Sequence, residues 1–179
     1  QQTGQLDASF GDHGISIVDH QTFESLTAVA VQPDGKIVAA GFTQEYNHSS
    51  IAVLRYLQDG SVDEFFGQEG LYKGQLEPEI NAATCLILQA DGKILVGGYF
   101  ISNLASSYRE DMFLMRLSAQ GSVDSSFSND GFLTFDLDRN ERAVSVKIAP
   151  NGKIYVMGNS SRQNNSAMIL FRYNIDGSP

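Results

Sequence analysis

The 179-residue chain has no tryptophan, one cysteine, three histidines and four prolines. A single cysteine, Cys85, rules out an intrachain disulfide. It lies in the apolar run Thr84-Cys85-Leu86-Ile87-Leu88 and reads as a small buried hydrophobe, not a reactive thiol. His13, His20 and His48 show no zinc spacing such as HxxxH. GxSxG, P-loop and Rossmann fingerprints are absent, so no cofactor is expected. Basic residues are scarce, 12 against 21 acidic ones, giving a net charge of −9. Nucleic-acid binding needs clustered Lys and Arg, so nucleic acid is not an expected partner. No apolar run approaches a membrane span, and no membrane insertion is expected.

What the chain has is repetition. The segments GQLDASFGDHG (4–14), GSVDEFFGQEG (60–70) and GSVDSSFSNDG (121–131) align without gaps. So do LTAVAVQPDGKIVAAG (26–41), ATCLILQADGKILVGG (83–98) and AVSVKIAPNGKIYVMG (143–158). A third set is SIAVLRYLQDGS (50–61), DMFLMRLSAQGS (111–122) and AMILFRYNIDGS (167–178). Gly4, Gly60, Gly121 and Gly177 are therefore 56, 61 and 56 residues apart, a period that marks a repeat architecture.

Each repeat reads as four strands. The middle block is a hairpin, turned at Pro33-Asp34-Gly35, Ala90-Asp91-Gly92 or Pro150-Asn151-Gly152, with the glycine in the left-handed position. Its strands are nearly continuous in apolar residues, which means both faces are covered. The expected innermost strands are Ile15–Asp19, Leu71–Lys73 and Phe132–Phe135. The expected outer strands end in Arg55, Arg116 and Arg172, each closing its blade within its own repeat. The predicted fold is all-β: a β-propeller segment of three four-stranded antiparallel blades. Its repeats span approximately 4–59, 60–120 and 121–176, as part of a ring of about six to eight blades. A β-solenoid repeats at roughly half this period, and a β-sandwich would not repeat three blocks in register.

The GxLDxSFGxxG and QPDGKIxxxG motifs resemble the delta-60 repeat family of bacterial β-propellers. Gly4–Gly14 and Gln32–Ile37 carry the resemblance most closely. The third copy departs from it at Ser128 and Asn151. The resemblance implies a propeller of exported or surface-attached bacterial proteins, often beside adhesion modules. It supplies no catalytic residues.

The PDGK-type turn and the DGSVDxxFxxxG-type link keep their lengths in every copy, and all length variation falls elsewhere. Variable polar loops on a fixed scaffold are where recognition lives. The variable loops, 19–25, 43–49, 73–81, 99–110, 136–142 and 159–166, are expected on one face. Within them Tyr46, His48, Tyr99, Phe100, Tyr108 and Arg109 are the candidate ligand-binding residues for a sugar or peptide. Asp136, Asp138 and Asn140 offer oxygens at alternate positions and form a weak calcium candidate, lacking the Gly and later acid of a calcium loop. Asp7, Asp63 and Asp124 with Arg55, Arg116 and Arg172 recur at fixed places, which points to structural ion pairs.

The function expected is a non-catalytic binding or structural module, secreted or at the cell surface, with a protein or glycan ligand. The alternatives are an accessory interaction subunit of a secretion or surface machine, and an enzyme, a hydrolase or lyase with a site near the propeller axis. Three blades do not close a circle, because closed propellers have about four to eight. The open sides are expected to meet either the remaining blades of the same protein or a second chain.

Overall fold

The computed structural model describes residues 4–76, 80–101 and 109–179. Among them eleven strands form three antiparallel sheets. The first sheet orders β1 (Phe23–Val31), β2 (Ile37–Glu45), β3 (His48–Tyr56) and β4 (Leu71–Gly74). The second orders β5 (Asn81–Leu88), β6 (Ile94–Ile101), β7 (Glu110–Leu117) and β8 (Phe132–Phe135). The third has β9 (Asn140–Ile148), β10 (Ile154–Arg162) and β11 (Asn165–Tyr173) and no fourth member. Sequential hydrogen-bonded neighbours in twisted, stacked four-stranded sheets define propeller blades.

The expected phase of the blade needs correction. Leu71–Lys73 does not open the second blade from the inside. It pairs with β3 as the outermost strand of the first, with Leu54 opposite Leu71 and Val53 opposite Tyr72. Phe132–Phe135 likewise pairs with β7. Every complete blade thus borrows its last strand from the following sequence repeat, and the first strand of each hairpin is the innermost. Ile15–Asp19 forms no strand, although it holds the register of Leu71–Lys73 and Phe132–Phe135. The physical reason is that the link 57–70 folds back along β3, with Val62 bridged to Tyr56, and returns the chain to β3's free edge.

That link is built on one buried carboxylate. Asp63, 2% exposed, accepts from Arg55 Nε at 2.8 Å and from Lys36 Nζ at 2.9 Å. Burial pushes the Asp63 carboxyl up, but Lys36, Arg55 and the Phe65 backbone N–H outweigh it and hold it below the usual range. The Arg55 guanidinium lies 4.7 Å from the Phe66 ring centre and donates to the Ala119 carbonyl of the next blade. Phe66 in turn packs on Gly121, where a Cβ would sit 2.9 Å from the ring, so only glycine fits. The second blade repeats the set with Arg116, Asp124, Lys93, Phe127 and Gly177. Asp63 and Asp124 are thus held in ion pairs with Arg55 and Arg116, whereas Asp7 accepts from Ser9. Lys153 of the third blade meets the Asn174 side chain.

Adjacent blades pack face to face. One cluster joins Val38, Ile51 and Val53 of the first blade to Val96, Phe113 and Met115 of the second. Another joins Leu95, Met112 and Leu114 to Val146, Ile154 and Val156 of the third. Cys85 is buried in that second cluster, and burial pushes its thiol up to about 11, leaving it unreactive. The register of β1 skips Thr27 and that of β5 skips Thr84. From these bulges each hydroxyl reaches the next blade, Thr27 Oγ1 to Ala83 O at 2.8 Å and Thr84 Oγ1 to Ala143 O at 2.6 Å. The outer faces of the first and third blades stay open, with Val29, Val31, Met168 and Leu170 exposed. The accessible surface of 10392 Å² exceeds by about 1,900 Å² that of a compact chain of this mass.

Removing Asp63 strands a buried guanidinium. Asp63→Ala is expected to cost about 3–5 kcal/mol in guanidinium chloride unfolding at pH 7, whereas Glu64→Ala, exposed beside it, leaves the midpoint unchanged. Asp63 and Asp124 hold protons more weakly folded than unfolded. Their stabilisation is therefore complete above the ordinary carboxylate range and is lost as pH falls through their lowered folded values. An acid titration of stability should fall less steeply in Asp63→Ala than in the parent.

Candidate functional site

Antiparallel register places the β2–β3 and β10–β11 hairpin tips and the β4–β5 connection at one end of the blades. The other end holds the PDGK-type turns and the clasps, each an aspartate (Asp63 or Asp124) held by its Arg and Lys with a Phe beside them. The described ends of the variable loops lie at the first of these ends; residues 77–79 and 102–108 lie outside the described residues.

The candidate residues divide. Tyr46, at the β2–β3 tip, is 95% exposed. With His48 it edges a shallow cleft of about 250 Å³ that also holds Thr43, Glu45, Lys73 and Gln75. Lys73 donates to Glu45 at 2.6 Å and lowers its carboxyl. Phe100 is not a surface residue. β6 runs on to Ile101, and its alternation turns Phe100 into the core between the first two blades, where it is 8% exposed. Tyr108 lies outside the described residues. Tyr99 carries the Arg142 guanidinium 4.2 Å from its ring centre, and Arg142 is itself held by both oxygens of Glu110. Arg109 pairs with Asp138. These contacts join the loop ends of the second and third blades.

Between those loop ends lies a cleft of about 380 Å³ lined by Arg109, Asp138, Arg139, Asn140, Arg162 and Gln163, with Ser161. Arg109, Arg139 and Arg162 line it on a chain of net charge −9, with Arg109 engaged by Asp138. The arrangement offers planar donors to a carboxylate or a sugar hydroxyl array.

The calcium candidate does not assemble as expected. Asp138 is taken by Arg109, and the Asn140 side chain accepts from the Glu110 backbone N–H at 3.2 Å. Asp136 instead groups with Asp111 and Glu141, whose oxygens lie within 4.8 Å of one another. Glu141 is fully buried and accepts from Ser160 Oγ at 3.0 Å. Burial pushes its carboxyl up, against the Ser160 and Leu137 hydrogen bonds and aided by the charges of Asp111 and Asp136. This trio was not visible in the sequence. Its signal lies in the repeat register, which sets Glu141 level with Asn81. Asn81 is fully buried and stitches the first two blades together through Ser49 Oγ, at 2.8 and 2.9 Å, and through Leu76.

The stacked blades and their shared strands define a blade-repeat protein of the β-propeller class. A family model described as "Domain of unknown function (DUF5122) beta-propeller" matches residues 32–66, 89–127 and 149–179, more than half of the chain. The chain belongs to that family. The first two matches run from the residue before the PDGK-type turn to the clasp phenylalanine, so the clasp falls within the family's unit. No curated protein matches the sequence.

Phe100→Ala should cost about 3–5 kcal/mol of stability, as for a buried aromatic, while Tyr46→Ala leaves thermal unfolding unchanged. Glu141 binds its proton more tightly folded than unfolded. Its protonated form favours the fold below the ordinary Glu range, and that advantage is lost as pH rises through the raised folded value. Glu141→Gln is therefore expected to raise the melting temperature at pH 7, with the difference shrinking towards pH 4 in parallel melts.

Proposed function

We propose that this chain is a non-catalytic binding propeller of an exported or surface-attached bacterial protein, recognising a protein or glycan through its loop end. The reading rests on one observation above the rest: the arginine-lined cleft between the second and third blades, built from the loops that vary while the scaffold does not. Its walls are hydrogen-bonding groups carried on β9, β10 and the loops beside them, which orders the donors before a ligand arrives. The guanidiniums favour a ligand that presents carboxylates, as an acidic glycan or acidic peptide does. The delta-60 resemblance of the GxLDxSFGxxG and PDGK motifs supports export and a surface setting. An accessory subunit of a surface machine is the competing assignment, and near-stoichiometric co-purification with such a machine would favour it.

The test is an array of neutral and acidic glycans and peptides, followed by titration calorimetry with the best ligand. Arg139→Ala combined with Arg162→Ala should weaken binding at least about tenfold without changing the melting temperature. Preference for neutral ligands, or equal affinity in the double variant, would overturn the assignment.

A further inference from the structure

Three places in the repeat are neutral where the first two blades meet and acidic where the next two meet. At the first junction they hold Ser50, Gln75 and Asn81. Ser50 Oγ donates to Gln75 Oε1 at 3.5 Å, and the Asn81 amide donates to the Ser49 and Leu76 carbonyls at 3.3 and 3.0 Å. One repeat on, the same places hold Asp111, Asp136 and Glu141. The oxygens of these carboxylates lie within 4.8 Å of one another. Glu141 is fully buried and Asp111 is 6% exposed. The first junction closes with no charge at these places, so packing alone does not call for three carboxylates at the second.

The trio also anchors a wall of the arginine cleft. Leu137 N donates to Glu141 Oε2 at 3.4 Å, as Leu76 N does to Asn81 Oδ1 at 2.9 Å. Asp138 N donates to Asp136 Oδ1 at 2.7 Å. Asp138, Arg139 and Asn140 are thus strung between two members of the trio, and Arg109 lies two residues ahead of the third. All four line the cleft. The charges facing the trio are those of Arg109, which feels Asp136 and Asp111 while paired with Asp138, and of Arg162, which acts on Asp138. Ser160 of β10 gives Glu141 a neutral hydrogen bond. Glu110 and Arg142 hold each other beside Tyr99. Three carboxylates this close repel one another strongly when all are charged, and the protons they bind belong to the set. Burial of Glu141, with the charges of Asp111 and Asp136, pushes its carboxyl up.

We infer that Asp111, Asp136 and Glu141 are a proton-binding anchor of the arginine cleft, so that an anion enters together with a proton and is held more tightly as pH falls. The inference rests on the cleft being the ligand site. An anion there adds negative charge beside the trio, and a carboxylate of the trio, Glu141 foremost, takes a proton from solvent in response. Protonation in turn removes a repelling charge beside the anion, and linkage makes the two effects equal. The gain in affinity is absent well above the raised Glu141 value. It grows as pH falls towards that value and levels off below it. The neutral first junction has no such response.

Sulfate is a suitable probe, because its charge is fixed between about pH 5 and pH 8. Its affinity for the 179-residue chain, followed by nuclear magnetic resonance shifts, is expected to rise at least about fivefold from pH 8 to pH 5. Glu141→Gln should lose this step and bind at pH 8 as the parent does at pH 5. The first junction's residues, introduced together as Asp111→Ser, Asp136→Gln and Glu141→Asn, should fold and lose it as well. Glu64→Gln, exposed at the clasp end, should keep it, which separates the step from the general charge of the protein. Arg139→Ala with Arg162→Ala should abolish binding at both pH values. A parent affinity level with pH, or a step that survives in Glu141→Gln and in the triple variant, overturns the inference and leaves the cleft assignment standing. Sulfate binding that is absent at every pH, or indifferent to the two arginines, overturns both.

Discussion

The fold depends on a carboxylate that three segments share. Asp63 comes from the link after β3, Arg55 from β3 itself and Lys36 from the hairpin turn, so a single buried anion fixes the mutual position of all three. An ion pair in this setting adds little net stability, because two charges leave water to form it. Its effect is on specificity: an alternative path for the link would leave Arg55 or Asp63 buried without a counter-charge. Arg55 then extends the constraint outward, because its remaining donor reaches the next blade's Ala119 carbonyl and its plane covers Phe66. Position within a blade and position between blades are thus set by one group.

The rigidity at the clasp end permits variation at the other. The turns and links there keep one length, whereas the loop end carries insertions and exposed polar side chains. Its junctions are made differently in each pair of blades. The first two blades meet through the neutral Asn81 and Ser49; the next two meet through Arg142 with Glu110 and Tyr99, and through Arg109 with Asp138. Charged junctions at the rim are solvent-screened and replaceable, which suits a surface whose identity differs from blade to blade.

Strands, turns and the fixed spacing of Asp63 and Asp124 from Arg55 and Arg116 were legible in the sequence, because hairpin glycines, apolar runs and fixed spacing are local signals. Phase was not. A tandem repeat can be cut at any point of its period, and Leu71–Lys73 reads as a strand without saying which neighbour it joins. Phe100 was misread for a related reason: after Gly97-Gly98 the pair Tyr99-Phe100 resembles the start of a loop, yet the ladder continues to Ile101 and both faces of β6 are covered. Glu141 and Asn81 were overlooked because a polar residue at a strand start looks solvated. Only the neighbouring blade, which removes it from water, gives it a role.

The shifted phase couples the blades more tightly than stacking alone. In a solenoid each repeat contributes its own stability plus an interface term. Here β4 and β8 belong to the following repeat in sequence while completing the preceding sheet in space, so a repeat cannot unfold without opening its neighbour's edge. The same chain segment then runs on through Asn81 or Asn140 into the next innermost strand, which makes each link both the closing element of one blade and the leash of the next.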